Sequence, residues 1–134
     1  MIRHPRCWLA LLGACSMIAG LDAAAALPAD ATRGALIYER CAGCHALTTD
    51  RTGPRHCGLF GRRAGSVPGF AYSPAMRRSK IVWNTNTLDR FLRQPTTTIP
   101  GTAMGYDGIK DEQERTDLIA YLRAANERPP CRPN

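Results

Sequence analysis

Lysine is nearly missing from this chain. Among 134 residues only Lys80 and Lys110 are lysines, so the formal net charge of +7 rests almost wholly on arginine. The basic residues are scattered and no recognised nucleic-acid-binding motif goes with them, so nucleic acid is not an expected partner. Strand-like alternation of apolar and polar residues is lacking as well, which argues against a β class. No internal repeat or low-complexity segment is present, which excludes repeat arrays. The longest apolar run, Trp8 to Leu21, covers about 14 residues, against the roughly 20 that a spanning helix needs. What remains is room for one small domain.

The apolar run has the flanks of an export signal. Arg3, His4 and Arg6 give a basic start, and only Gly13, Cys15, Ser16 and Gly20 interrupt the run. Asp22 and the small residues Ala23–Ala26 follow, and Ala24-Ala25-Ala26 fits a cleavage site. Residues 1–26 are therefore expected to be a signal peptide, and 27–134 a mature domain exported to a bacterial periplasm without stable membrane insertion. The alternatives are a retained anchor, for which the run is short, and lipidation at Cys15 within Leu12-Gly13-Ala14-Cys15, which sits very early in the run. Removing Arg3, Arg6 and Asp22 leaves 16 basic and 10 acidic residues, a net charge of +6. Of the six cysteines, Cys7 and Cys15 leave with the signal, Cys41 and Cys44 form a close pair, and Cys57 and Cys131 remain. An even count in an exported chain leaves room for a disulfide.

Three helices are legible in the mature part. The first is expected from Asp30 to about Ala42, with Ala35, Tyr38 and Cys41 on one stripe. The second starts near Asn86 as N-cap, turns Leu88, Phe91 and Leu92 inward and stops before Pro95. The third begins at Asp111, which with Glu114 resembles a capping box, and carries Leu118, Tyr121, Leu122 and Ala125 until Pro129 and Pro130 end it. Between Thr48 and Lys80 the chain is rich in Gly, Pro, Arg and Ser, without a sustained period, and reads as loops. The class is all-α and loop-rich. So little regular structure packs poorly on itself unless something apolar sits at its centre.

Cys41-Ala42-Gly43-Cys44-His45 supplies that something. C-x-x-C-H is the attachment motif for c-type haem: each thiol adds across one haem vinyl group, and the adjacent histidine becomes the proximal iron ligand. A zinc site would need two further ligands, for which only His56, Cys57 and Cys131 are at hand. A thioredoxin-like redox pair would need a βαβ setting, which is absent. A second iron ligand is expected downstream at Met104. It follows the Pro100-Gly101 turn, which would hold its sulfur on a fixed arc, whereas Met76 has no such turn.

From about Gly34 to Asn126 the chain resembles mitochondrial cytochrome c and its short soluble bacterial relatives, the class I c-type cytochromes. The matching stretches are Cys41–His45, Thr52-Gly53-Pro54, Gly58-Leu-Phe-Gly-Arg62, Trp83, Thr87-Leu88, Ile99-Pro-Gly-Thr102, Met104 and Asp117–Leu122. The resemblance implies a small cytochrome c fold, three main helices and long loops wrapped around one covalent haem c. Pro54 would lend its carbonyl to the His45 ring. Arg62, Tyr72 and Trp83 would meet a buried haem propionate, which in a low-dielectric pocket needs donors or a counter-charge. Thr102 would place a hydroxyl near the second propionate. Gly34 and Tyr38 should meet Leu118 and Tyr121. The family fold also brings Cys57 and Cys131 toward each other, so a disulfide worth roughly 3–4 kcal/mol is expected, two unpaired thiols being the alternative.

The departures from the family pattern are specific. Phe91 stands where many relatives have tyrosine. Thr96, Thr97 and Ala103 stand where mitochondrial relatives carry lysines around the haem edge, and Arg51, Arg63 and Arg93 are candidates to replace that field. Tyr106 takes the aromatic position after the ligand loop, and Cys57 a position that is often histidine. The function implied is a monomeric electron carrier, not an enzyme, held by His45 and Met104 and meeting redox proteins transiently. The alternatives are a haem subunit of a larger dehydrogenase or oxidase, or a five-coordinate peroxidase-type enzyme.

Overall fold

A computed structural model describes residues 26–132. The expected signal peptide, residues 1–26, therefore falls, but for Ala26, outside the described residues. Five helices follow in chain order: α1 (Ala31–Tyr38), α2 (Pro74–Arg78), α3 (Thr85–Arg93), α4 (Pro95–Thr98) and α5 (Glu112–Asn126). Among the described residues there is no strand, only an isolated antiparallel bridge between Arg63 and Val82.

α1 starts where Asp30 accepts hydrogen bonds from the backbone N–H groups of Thr32 and Arg33. It ends at Tyr38, earlier than its sequence suggests, because the chain tightens into successive turns: Cys41 N–H reaches Tyr38 O at 2.8 Å and Cys44 N–H reaches Cys41 O at 3.0 Å. Its buried face is Gly34, Ile37 and Tyr38; of the expected stripe Tyr38 is buried, while Ala35 and Cys41 are half-buried. The crossing with α5 decides this. A side chain at Gly34 would put its Cβ 2.6 Å from the Asp117 carbonyl carbon and 2.8 Å from Tyr121 Cβ. Only glycine lets the two backbones meet.

Asp117 locks that crossing. It is buried, yet it accepts bonds from Asp30 N–H at 2.8 Å, Arg33 Nε at 2.7 Å and Gln113 Nε2 at 3.0 Å. The Arg33 guanidinium holds its carboxyl below the usual range, so it stays charged and paired. Arg115, 1 % exposed, ties α5 to α3 through Nε on Asp89 at 2.6 Å and donates from Nη1 to the carbonyls of Ile109 and Lys110.

Two helix starts differ in detail from the sequence reading. α3 is capped by Asn84, two residues before Asn86. Asn84 and Thr87 exchange side-chain and backbone bonds at 2.8 and 2.9 Å, so the reciprocal box lies here with a threonine in the usual Glu role. At α5 the box is half made. Asp111 accepts from Glu114 N–H, but the Glu114 carboxylate turns to Arg40 at 2.8 Å. The central segment is loop as expected except for α2, which Ser73 caps and Pro74 opens.

Gly34→Ala should therefore destabilise the holoprotein by about 2–3 kcal/mol or more, because backbone and not a yielding side-chain tip stands in the way. Guanidinium unfolding followed by far-UV circular dichroism checks it, and an unchanged midpoint would mean the helices can part at no cost.

Candidate haem-binding site

The helices enclose a cavity of about 430 Å³. The turn after α1 supplies Cys41, Cys44 and His45, α3 supplies Leu88, Phe91 and Leu92, and α5 supplies Leu118 and Leu122. The segment between α4 and α5 adds Thr102, Met104 and Tyr106. All nine residues singled out for the cofactor line this one space, with Pro54, Arg62, Tyr72 and Trp83 completing the set.

His45 is held with care. Its Nδ1 lies 2.8 Å from the Pro54 carbonyl, so Nδ1 carries the proton and donates, leaving Nε2 with its lone pair. Burial pushes the ring's pKa down, although the Pro54 bond works the other way, so the neutral form that a metal requires is favoured. A Cβ on Gly53 would come within 2.6 Å of His45 Nδ1, so the loop passes this close only because residue 53 is glycine. Cys41 and Cys44 are not joined to one another. Burial raises the Cys41 thiol, while Cys44 is exposed although it lines the cavity. Two free thiols beside a neutral imidazole in a largely apolar cavity suit covalent haem attachment.

The polar wall is prepared for negative charge. Arg62 gives Nη1 to Cys57 O and Nη2 to Arg55 O, both at 2.8 Å, and pairs with none of the described carboxylates. Burial lowers its pKa. Burial raises that of Tyr72, whose hydroxyl accepts weakly from Val67 N–H at 3.4 Å. Trp83 packs at 5.0 Å from Phe91, and its backbone N–H donates to Arg62 O at 2.9 Å, which fixes these two residues relative to one another. Thr102 Oγ1 accepts from Met104 N–H at 3.3 Å. The structure also brings Met76, buried on α2, to the same cavity, so a second thioether lines it.

Two findings go beyond the sequence reading. His56, considered there only as a spare metal ligand, stacks on His45 with centroids 4.4 Å apart and planes 21° from parallel. Its pKa is pushed down to about 3 by burial first, with His45 and Arg62 adding to it. The signal available was a histidine two residues past Pro54, which no periodicity marks. Second, the three arginines differ in setting. Arg93 is paired with Asp89 at 3.0 Å, Arg63 donates to the carbonyls of Ser79 and Arg77, and Arg51 donates to Ala42 O beside the cysteine pair. The Cys57 and Cys131 sulfurs stand at bonding distance with Cα atoms 4.9 Å apart, and Leu59 N–H reaches Asn126 Oδ1 at 3.1 Å along the same seam.

Comparison with known proteins agrees with this geometry. The cytochrome c family profile matches residues 31–126. A cytochrome c2 from Blastochloris viridis is 41% identical over 100 residues, covering 72% of this chain and 79% of the relative. A cytochrome c from Euglena viridis is 43% identical over 97 residues, covering 70% and 95%. The solved structure of cytochrome cH from Methylobacterium extorquens superposes with a TM-score of 0.69 at 34% identity, covering 71% of this chain and 98% of that one. A haem-c cavity between three main helices, matched over nearly the whole described domain, defines a class I c-type cytochrome. The chain belongs to the cytochrome c family: it is an electron-transfer protein with one covalently attached haem c, not an enzyme.

Proposed function

We propose that the mature protein is a periplasmic, monomeric one-electron carrier in which Cys41 and Cys44 anchor the haem and His45 and Met104 ligate its iron. The single observation that carries this reading is the convergence of both thiols, the neutral His45 ring and the Met104 thioether on one cavity. When bound, the haem supplies the Fe(II)/Fe(III) couple. The chain's own part is to hold two ligands through both oxidation states, to keep water from the apolar interior and to lower the cost of burying a carboxylate near Arg62, Tyr72 and Trp83. Exposed Cys44 marks the side on which the cavity reaches the surface. Export fits the pairing of Cys57 with Cys131, which belongs to an oxidising compartment. Among the described residues no helix is long and apolar enough to cross a membrane.

Met104→Ala should abolish the weak sulfur-to-iron charge-transfer band at the red end of the oxidised spectrum, lower the midpoint potential and raise peroxidase activity, because a thioether favours Fe(II). Since Met76 lines the same cavity, Met76→Ala is the matched comparison. Loss of the band there, and not in Met104→Ala, would transfer the ligand role to Met76.

The cysteine pairing predicts that alkylation without reductant leaves Cys57 and Cys131 unmodified in intact-mass analysis, and that prior reduction adds two labels. Two labels without reductant would mean free thiols.

Partner docking follows from where the charge lies. Residues 50–80 hold seven of the cations and a single carboxylate, Asp50, which equals the whole +6 of the mature domain. Thr96, Thr97 and Ala103 are exposed and uncharged. Charges beyond about 8–10 Å of a docking patch are screened at physiological salt. Stopped-flow rates with an acidic partner should therefore fall less steeply with ionic strength than in the Thr96→Lys/Ala103→Lys variant. Equal slopes would put the docking site elsewhere.

A further inference from the structure

We propose that His56 is a positioning residue for the His45 imidazole, fixing the plane in which that ring meets the iron. The inference rests on the assignment of His45 as proximal ligand. A hydrogen bond from Nδ1 to Pro54 O fixes one edge point of the ring. It does not fix the plane, because the terminal torsion of histidine is broad and the ring can swing about that contact. A flat partner does fix it. His56 provides one, stacked at 4.4 Å and 21°.

His56 can act this way because it is itself restrained on several sides. Its backbone N–H donates to Ala46 O at 3.0 Å and Leu47 O at 3.1 Å, which binds it to the residues directly after His45. Its Nδ1 lies 3.1 Å from Tyr38 Oη, and the Tyr38 ring stands edge-on to it at 5.6 Å. Tyr38 is buried on α1 and packs at 5.0 Å against Tyr121 on α5. Burial raises the Tyr38 hydroxyl to about 12, so it remains a neutral hydrogen-bonding group over the whole working range. The orientation of His45 is thus referred, through two aromatic contacts and one hydrogen bond, to the same helix crossing that Gly34 permits. An aliphatic side chain of similar size would fill the space at residue 56 but offer no plane to match and no partner for Tyr38.

The test uses the holoprotein and three variants that separate shape from hydrogen bonding. His56→Leu removes the stack and the bond, His56→Asn keeps a partner for Tyr38 without the stack, and His56→Phe keeps a flat ring without the bond. The readouts are the pattern of paramagnetically shifted haem-methyl resonances in the ferric protein, which follows the plane of the axial imidazole, and the midpoint potential. His56→Leu and His56→Asn should both change the methyl pattern. They should raise the potential by about a threefold change in the redox equilibrium constant, about 28 mV at 59 mV per tenfold for one electron, because a looser ring donates less well to Pro54 and becomes a weaker base toward Fe(III). His56→Phe should keep the wild-type pattern. An unchanged pattern in the Leu and Asn variants, or an equal change in the Phe variant, overturns the role. If the Leu variant does not fold, the Asn and Phe pair carries the comparison. The ligand assignment is tested apart from this: a histidine-ligated low-spin spectrum surviving in His45→Ala would remove His45 itself, whereas unchanged His56 variants remove only the positioning role.

Discussion

The crossing of α1 on α5 at Gly34 is the constraint on which the rest of the molecule depends. Backbone meets backbone there, with the Asp117 carbonyl where a side chain would otherwise lie. The buried Asp117 carboxylate then binds the first residues of α1 through the Asp30 N–H and the Arg33 guanidinium. Because the cysteine-bearing turn follows α1 without a break, the crossing also sets where Cys41, Cys44 and His45 arrive. A shift of the helices would carry the thiols and the imidazole with it.

The interior is built around a space, not around itself. Leucines of α3 and α5 and the aromatics Phe91 and Trp83 face a cavity, and the long segment from 39 to 84 closes it with turns. Such a domain depends on its prosthetic group for the contacts that a larger protein takes from a second layer of structure. The same economy explains Arg62, a half-buried cation bonded to two carbonyls and to no described carboxylate. Carbonyls orient the guanidinium without neutralising it, so its charge remains available to an acidic group in the cavity.

Much of the fold and site was legible in the residues. The motif at Cys41–His45, the helical period of Leu88, Phe91 and Leu92, and the capping role of Asp111 all depend on neighbours in sequence, and local patterns report them well. The misreadings have different causes, one local and two long-range. Asn86 and Asn84 are equally good caps by type, and the choice falls on Asn84 because Thr87 stands three residues on to complete the exchange. Glu114 left its box because Arg40, far away in sequence, offered an ion pair. Ala35 stays half-buried because the close approach at Gly34 sets the Gly34, Ile37 and Tyr38 face of α1 inward.

The chemistry this protein can carry is written in its residues: two thiols and a histidine at a spacing that suits one haem, methionines for a second ligand, and a charge carried by arginine in place of lysine. Covalent spacing is a property of the chain, so it survives in the string of letters. Which distant groups act together came from the folded arrangement. It stacked His56 on His45, placed Tyr38 against both His56 and Tyr121, gave Met76 and Met104 to the lining of one cavity, and set Cys57 next to Cys131 across 74 residues. Such contacts come from the packing of helices and loops around a common apolar space, and no local period in the sequence records them.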